Sequence, residues 1–231
     1  MAGLALWLVP APIMAGELAS DRQADRSSVT IIGDLMQRIR DKVISDPSLP
    51  PASSPFPPHA TLLSGLKADD GTDNGKRDEL WSKALRVVSG WRKAGQHLSS
   101  TPISEVETRV ESLVTRGWYF QILVLALELT EPLLKLNELA RQTLLPETIK
   151  AAPPYFPHVS LLYSDATVEQ ARGLISELKK EDDGTFMPKS ICFTHLELWD
   201  CNGDVGRWHR LERVGLAQVP LEGDSDKIGN S

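Results

Sequence analysis

Two stretches decide how this chain reads: PFPPHATLLSGL, Pro55 to Leu66, and PPYFPHVSLLYSD, Pro153 to Asp165. Each leads through prolines to a histidine, then a spacer, a hydroxyl residue and Leu-Leu. Proline lacks an amide hydrogen and fixes φ, so both approaches are extended rather than helical. The apolar runs that follow read as strands, where residues i and i+2 face the same way. His59 and Thr61 therefore share one face, with Ala60 and Leu62 on the other. His158 and Ser160 pair likewise, opposite Val159 and Leu161. Two such strands together would set two imidazoles and two hydroxyls around one cleft.

What surrounds the two motifs is also alike. After the first come a polar loop at Lys67 to Arg77, a helix around Asp78 to Lys93, and two extended runs, SEVETRVESLV and WYFQILVLALEL. After the second come a helix around Thr167 to Lys180 and two more extended runs, KSICFTHLELWD and GRWHRLERVGL, joined at Cys201 to Asp204 with Asn-Gly as a hairpin signal. A helix near Pro132 to Leu144 connects the halves, and another at Val29 to Ser45 carries Ile32, Leu35, Met36, Ile39 and Val43 at helical spacing. The order predicts an α+β fold of two similar halves with two antiparallel sheets, each backed by helices. One domain is expected over 1–216, its halves centred on 59–129 and 158–214, with a flexible tail at 217–231.

The 231 residues are ample for a core, and a net charge of −6 argues against a broad electrostatic grip on long nucleic acid. Two cysteines, Cys192 and Cys201, make neither a zinc cluster nor a disulfide framework and fit a reducing compartment. Met1 to Gly16 is apolar enough for a signal peptide but lacks a basic start, and Pro10 and Pro12 interrupt it. LALWLVP reads instead as a first strand ended by proline. No run is long enough to span a bilayer.

The chemistry follows from the residue types. Hydroxyls and protonated imidazole donate to phosphate oxygens, and two histidines near neutrality supply an acid and a base in one site. That suits in-line displacement at phosphorus without a metal. A Ser or Thr nucleophile is less attractive, because a hydroxyl two residues from its own histidine on a strand points parallel to it. A single His-x-Thr arises by chance in many proteins. Two, each after proline and before Leu-Leu, do not read as chance.

The pair HATL and HVSL resembles the signature of the two-histidine (2H) phosphoesterase superfamily. More narrowly, LALWLVP, PHATLLSGL, LVLALEL, YFPHVSLLYSD and LELWDCNGDVGRWHRLERV, in order from Leu4 to about Val214, resemble the fungal 2′,3′-cyclic-nucleotide 3′-phosphodiesterases and the plant cyclic phosphodiesterases. The resemblance implies a bilobal α+β fold of two pseudo-symmetric lobes with the active cleft between them. It implies hydrolysis of nucleoside 2′,3′-cyclic phosphates to 2′-phosphates, and of ADP-ribose 1″,2″-cyclic phosphate, a by-product of tRNA splicing, to ADP-ribose 1″-phosphate. By the same match His59 and His158 are catalytic, Thr61 and Ser160 bind phosphate, and Tyr163 contacts substrate. No cofactor or metal is called for. The expected partner is a small cyclic-phosphate nucleotide, the expected state a monomer in the cytoplasm, with Golgi association the alternative the fungal resemblance implies.

Other features read as structural. Trp7 could stack on a base or pack in the core; His97 reads as a loop residue, His195 and His209 as hairpin-strand residues without catalytic partners, and Arg116 and Arg207 as surface residues beside their turns. Two alternatives compete with the leading reading. An enzyme that processes RNA ends would want a basic groove, which this acidic chain does not write. A silent nucleotide-binding module would be expected to lose a histidine or hydroxyl, and all four are present.

Overall fold

The computed structural model describes residues 3–10, 28–67, 74–96, 103–148, 153–182 and 187–221. The extended runs form β1 (Leu4–Pro10), β2 (Ala60–Leu66), β3 (Val106–Val114), β4 (Leu123–Leu127), β5 (His158–Leu162), β6 (Ser190–Asp200) and β7 (His209–Gly215). They join in one antiparallel sheet of order β1-β2-β5-β4-β3-β6-β7, and β1 also pairs with β6. The sheet thus curls until its ends meet. β6 makes this possible by its length: Ser190 to Phe193 pair with β3, while Phe193 to Asp200 pair with β1.

The two expected antiparallel layers are leaves of this one sheet, and each draws strands from both halves of the chain. β2, the first motif strand, lies beside β1, which pairs with β6 of the second half, and β7 follows β6. β5, the second motif strand, pairs with β4 of the first half, and β3 follows. The leaves meet directly at one β2–β5 pair, Ala60 opposite Val159. Beyond it the strands part, and side chains take the carbonyls there. Tyr155 Oη donates to Thr61 O at 3.1 Å, and buried Asn137 Nδ2 donates to Leu62 O at 2.7 Å.

Four helices back the leaves: α1 (Ser28–Ser45), α2 (Asn74–Gln96), α3 (Glu131–Leu144) and α4 (Val168–Glu181). α2 and α3 pack together with α3 against β2, whereas α1 lies on β5 and α4 on β3. The α1 stripe of Ile32, Leu35, Met36, Ile39 and Val43 is buried throughout, each such side chain contributing ~1.5–3 kcal/mol. α4 starts at a capping box, Thr167 Oγ1 accepting from Gln170 N while Gln170 Oε1 accepts from Thr167 N. Trp91 Nε1 donates to Pro132 O at 2.8 Å and ties α2 to α3.

Three boundaries differ from the expectation. Asn74 to Arg77 belong to α2 rather than to the loop, whose residues 68–73 lie outside the described ones. The long run from Trp118 breaks into a 3-10 turn at Tyr119–Gln121 before β4 begins. Residues 217–221 of the expected tail are packed down, with Val219 buried. Its carbonyl accepts from Arg92, and that of Pro220 accepts from Ser89 Oγ.

Candidate active site

The Ala60–Val159 pair organises the two motifs. In an antiparallel ladder the neighbours of a pair run in opposite senses, so Thr61 falls beside His158 and His59 beside Ser160. Ala60 and Val159 are wholly buried, the face opposite the motif side chains. A local twofold through this pair relates one motif to the other. Both imidazoles are held alike: His59 Nδ1 bonds Pro57 O at 2.8 Å, and His158 Nδ1 bonds Phe156 O at 2.9 Å. A carbonyl accepts only, so each Nδ1 carries the proton and each neutral ring keeps its Nε2 lone pair.

The surroundings of the two rings differ. His59 is 2% exposed and stacks on Trp7, centroids 3.5 Å apart and planes 9° off parallel. Trp7 stacks in turn on Trp199 at 4.3 Å, and Trp199 Nε1 donates to the buried carboxylate of Glu197 at 2.7 Å. Arg210 and Arg213 neutralise Glu197 at 3.2 and 3.5 Å. His158 is half-buried; its ring stacks on Phe156, which also carries the Arg116 guanidinium 4.4 Å above its centroid.

Burial pushes the His59 imidazole down from 6.5 to about 3, and the neighbouring His158 adds to the effect. His158 is also lowered, first by desolvation and then by the charge of Arg116. Both rings are therefore neutral near pH 7 in the ligand-free protein.

A cavity of about 460 Å³ opens over the motif face, with Thr61, His158, Ser160 and Tyr163 in its wall. His59 is not part of that wall. Ser160 Oγ donates to Phe120 O at 3.0 Å, and burial holds the phenol of Tyr163 above its usual range. Tyr163, 1% exposed, stacks on Phe56 at 4.0 Å.

The family described as cyclic phosphodiesterase-like protein matches residues 1–216. The chain belongs to this family. No curated protein sequence matches it significantly. Among solved structures, E. coli LigT complexed with 3′-AMP is similar, at 15% identity and a TM-score of 0.52 over 94% of this chain and 99% of that one. A structure described as a phosphoesterase aligns equally well, at 15% identity, a TM-score of 0.52 and the same coverage. The fold is thus that of the 2H phosphoesterases, and this cyclic phosphodiesterase-like chain carries its two His-x-Thr/Ser stretches on adjoining strands.

Most of the other residues considered in the sequence lie as expected, and two arginines add to the site. Trp7 is wholly buried, so it is core and not a platform for a base. Arg116 is exposed but also lines the cavity, together with Arg141 of α3, which no sequence motif singles out. The proximity of Arg141 depends on how α3 crosses β2, which no spacing encodes. His195 bonds the Thr194 hydroxyl, His209 and Arg207 are exposed, and Cys192 and Cys201 are free thiols. His97 lies outside the described residues. Among the described residues no helix is long and apolar enough to cross a membrane.

Proposed function

We propose that this chain hydrolyses nucleoside 2′,3′-cyclic phosphates to 2′-phosphates and ADP-ribose 1″,2″-cyclic phosphate to ADP-ribose 1″-phosphate, without a metal. The observation that carries the reading is the Ala60–Val159 pair, which sets two imidazoles and two hydroxyls around one twofold. In this scheme Thr61 and Ser160 donate to the non-bridging phosphate oxygens, Ser160 turning its one O–H away from Phe120 O to do so. One imidazole takes a proton from water as its oxygen attacks phosphorus; the other gives a proton to the 3′ oxygen as the P–O3′ bond breaks. The P–O2′ bond survives, and a proton exchanged with solvent resets the pair. The entering phosphate supplies negative charge that favours imidazolium, offsetting the desolvation that keeps the free site neutral. Tyr163 backs Ser160 and borders the substrate. LigT, which shares the fold, has been crystallised with 3′-AMP, in keeping with a nucleotide-sized site.

The test is turnover of 2′,3′-cyclic AMP beside ADP-ribose 1″,2″-cyclic phosphate, with products identified by phosphorus NMR before and after exhaustive EDTA. The expected products are the 2′- and 1″-phosphates, at rates that chelation leaves intact. No turnover, or a 3′-phosphate product, overturns the reaction. Loss on chelation with recovery on Mg²⁺, Mn²⁺ or Zn²⁺ overturns its metal independence.

A further inference from the structure

The cavity is longer than one phosphate needs. From Thr61 its wall continues along β2 through Leu62 and Leu63 to Ser64, a run of ~10 Å at strand rise. Arg141 also lines the cavity, one turn along α3 from the Asn137 that holds Leu62 O, with Tyr155 nearby. Its Nη1 donates to Pro153 O at 3.1 Å. Its Nε is buried with no hydrogen-bond partner, and among the described residues no carboxylate pairs with the guanidinium. A buried, unanswered donor on a cation costs stability unless something else uses it. The second guanidinium of the cavity, Arg116, lies over Phe156 and close enough to lower His158. Tyr155, whose phenol feels the charge of Arg141, holds Thr61 O with its hydroxyl.

We infer that Arg141 forms a second anion subsite, taking a phosphate of the substrate other than the cyclic one, so that the preferred substrates are nucleotides with an additional phosphate across the nucleoside. This rests on the cyclic phosphodiesterase reading and names its substrate class. A guanidinium suits the task because its planar fork meets phosphate oxygens in pairs. The overall charge of −6 repels a second phosphate, so any gain must come from a local donor.

The experiment compares binding of adenosine 2′-monophosphate and adenosine 2′,5′-bisphosphate to the full chain by calorimetry. Wild type should hold the bisphosphate about ten- to a hundredfold more tightly, the range for hydrogen bonds to charged groups. Arg141→Gln should bring the ratio close to one, while Lys135→Gln, which removes a charge from the same helix outside this cavity, should leave it unchanged. Equal affinities in wild type, or a preference that survives Arg141→Gln, overturn the subsite. The wild-type comparison needs no variant, so misfolding of Arg141→Gln cannot shelter the idea. Failure to hydrolyse any cyclic phosphate would overturn the proposed reaction, whereas the binding ratio alone decides whether the subsite exists.

Discussion

The two motif strands hold the same four residue types and bury them crosswise. On β2 the histidine is sealed and the hydroxyl open: His59 is 2% exposed, while Thr61 is half-buried in the cavity wall. On β5 the histidine is the more open member and Ser160, 5% exposed, the more buried one, though it too borders the cavity. Because the strands run antiparallel about Ala60 and Val159, the two open residues are neighbours and so are the two sealed ones. A twofold in backbone and residue type is therefore not a twofold in solvation. Identical motifs can share a reaction while differing in acidity and in what each contributes to stability.

The largest effects should fall on the histidines. His59→Ala and His158→Ala should each lower kcat by ~10²–10⁴, the range for general acid–base catalysis. Their stabilities should diverge. His158→Ala should melt near wild type, whereas His59→Ala empties the space beneath Trp7 and should melt earlier. Thermal unfolding beside steady-state rates separates the two. Near-normal turnover in either variant would sink the two-histidine mechanism.

Next come the hydroxyls, whose removal should cost ~1.5–3 kcal/mol of transition-state stabilisation each. Here the asymmetry reverses. Ser160→Ala also strands the Phe120 carbonyl that Ser160 Oγ now satisfies, so it should lose ~1–3 kcal/mol of stability, while Thr61→Ala loses little. Equal urea midpoints for the two variants would erase the crosswise pattern. Wild-type kcat/KM in both would show that neither side chain meets phosphate.

Much of this site was legible in sequence because it depends on local rules. The Pro-His approach, the period-two alternation and the apolar stripe of α1 each follow from residue type and spacing, and all appear in the fold. The exchange of hairpins between leaves was not legible, since strand partners are chosen by long-range closure of the sheet. Nor was the burial of His59. PFPPH gives no sign that β1 will lay Trp7 over the ring; that follows from the β1–β2 register, with Trp7 opposite Thr61 and Leu8 opposite Ala60. Arg141 was hidden as well, because a cation on an amphipathic helix ordinarily reads as solvated.

A pH series tests the difference in acidity. For His59 the folded value, about 3, lies below the unfolded 6.5. Between those limits the unfolded chain binds the extra proton, so this contribution to stability is whole above pH 6.5 and is lost as pH falls toward 3. The slope approaches ~1.4 kcal/mol per pH unit. Urea midpoints from about pH 7 to about pH 4 should therefore fall more steeply in wild type than in His59→Gln, a subtraction that cancels the carboxylates. Parallel curves would mean the ring is not sealed. In catalysis both lowered imidazoles move the bell of kcat/KM to the acid side of ~6.5, with its limbs belonging to the pair. In kcat the alkaline limb should move up, since bound phosphate stabilises imidazolium.

The smallest effect should come from Trp7, which positions His59 without touching substrate. Its indole lies flat on the imidazole, and its own Nε1 is buried with no partner among the described residues. Trp7→Phe retains a ring but reduces the overlap, giving up part of the ~0.5–1.5 kcal/mol that an aromatic pair contributes beyond burial. It also removes the unanswered N–H, an offsetting gain. The smaller ring also leaves part of a wholly buried site unfilled, so net stability should fall. His59, less firmly held, should then cost kcat about threefold with KM unmoved, because an interaction lost only at the reacting centre leaves ground-state binding alone. Water admitted beside the smaller ring should raise the acid limb of kcat/KM toward the ordinary imidazole value. The split between kcat and KM carries the decision. A raised KM with normal kcat would place Trp7 against the substrate, and the sealed column behind His59 would no longer describe the working enzyme.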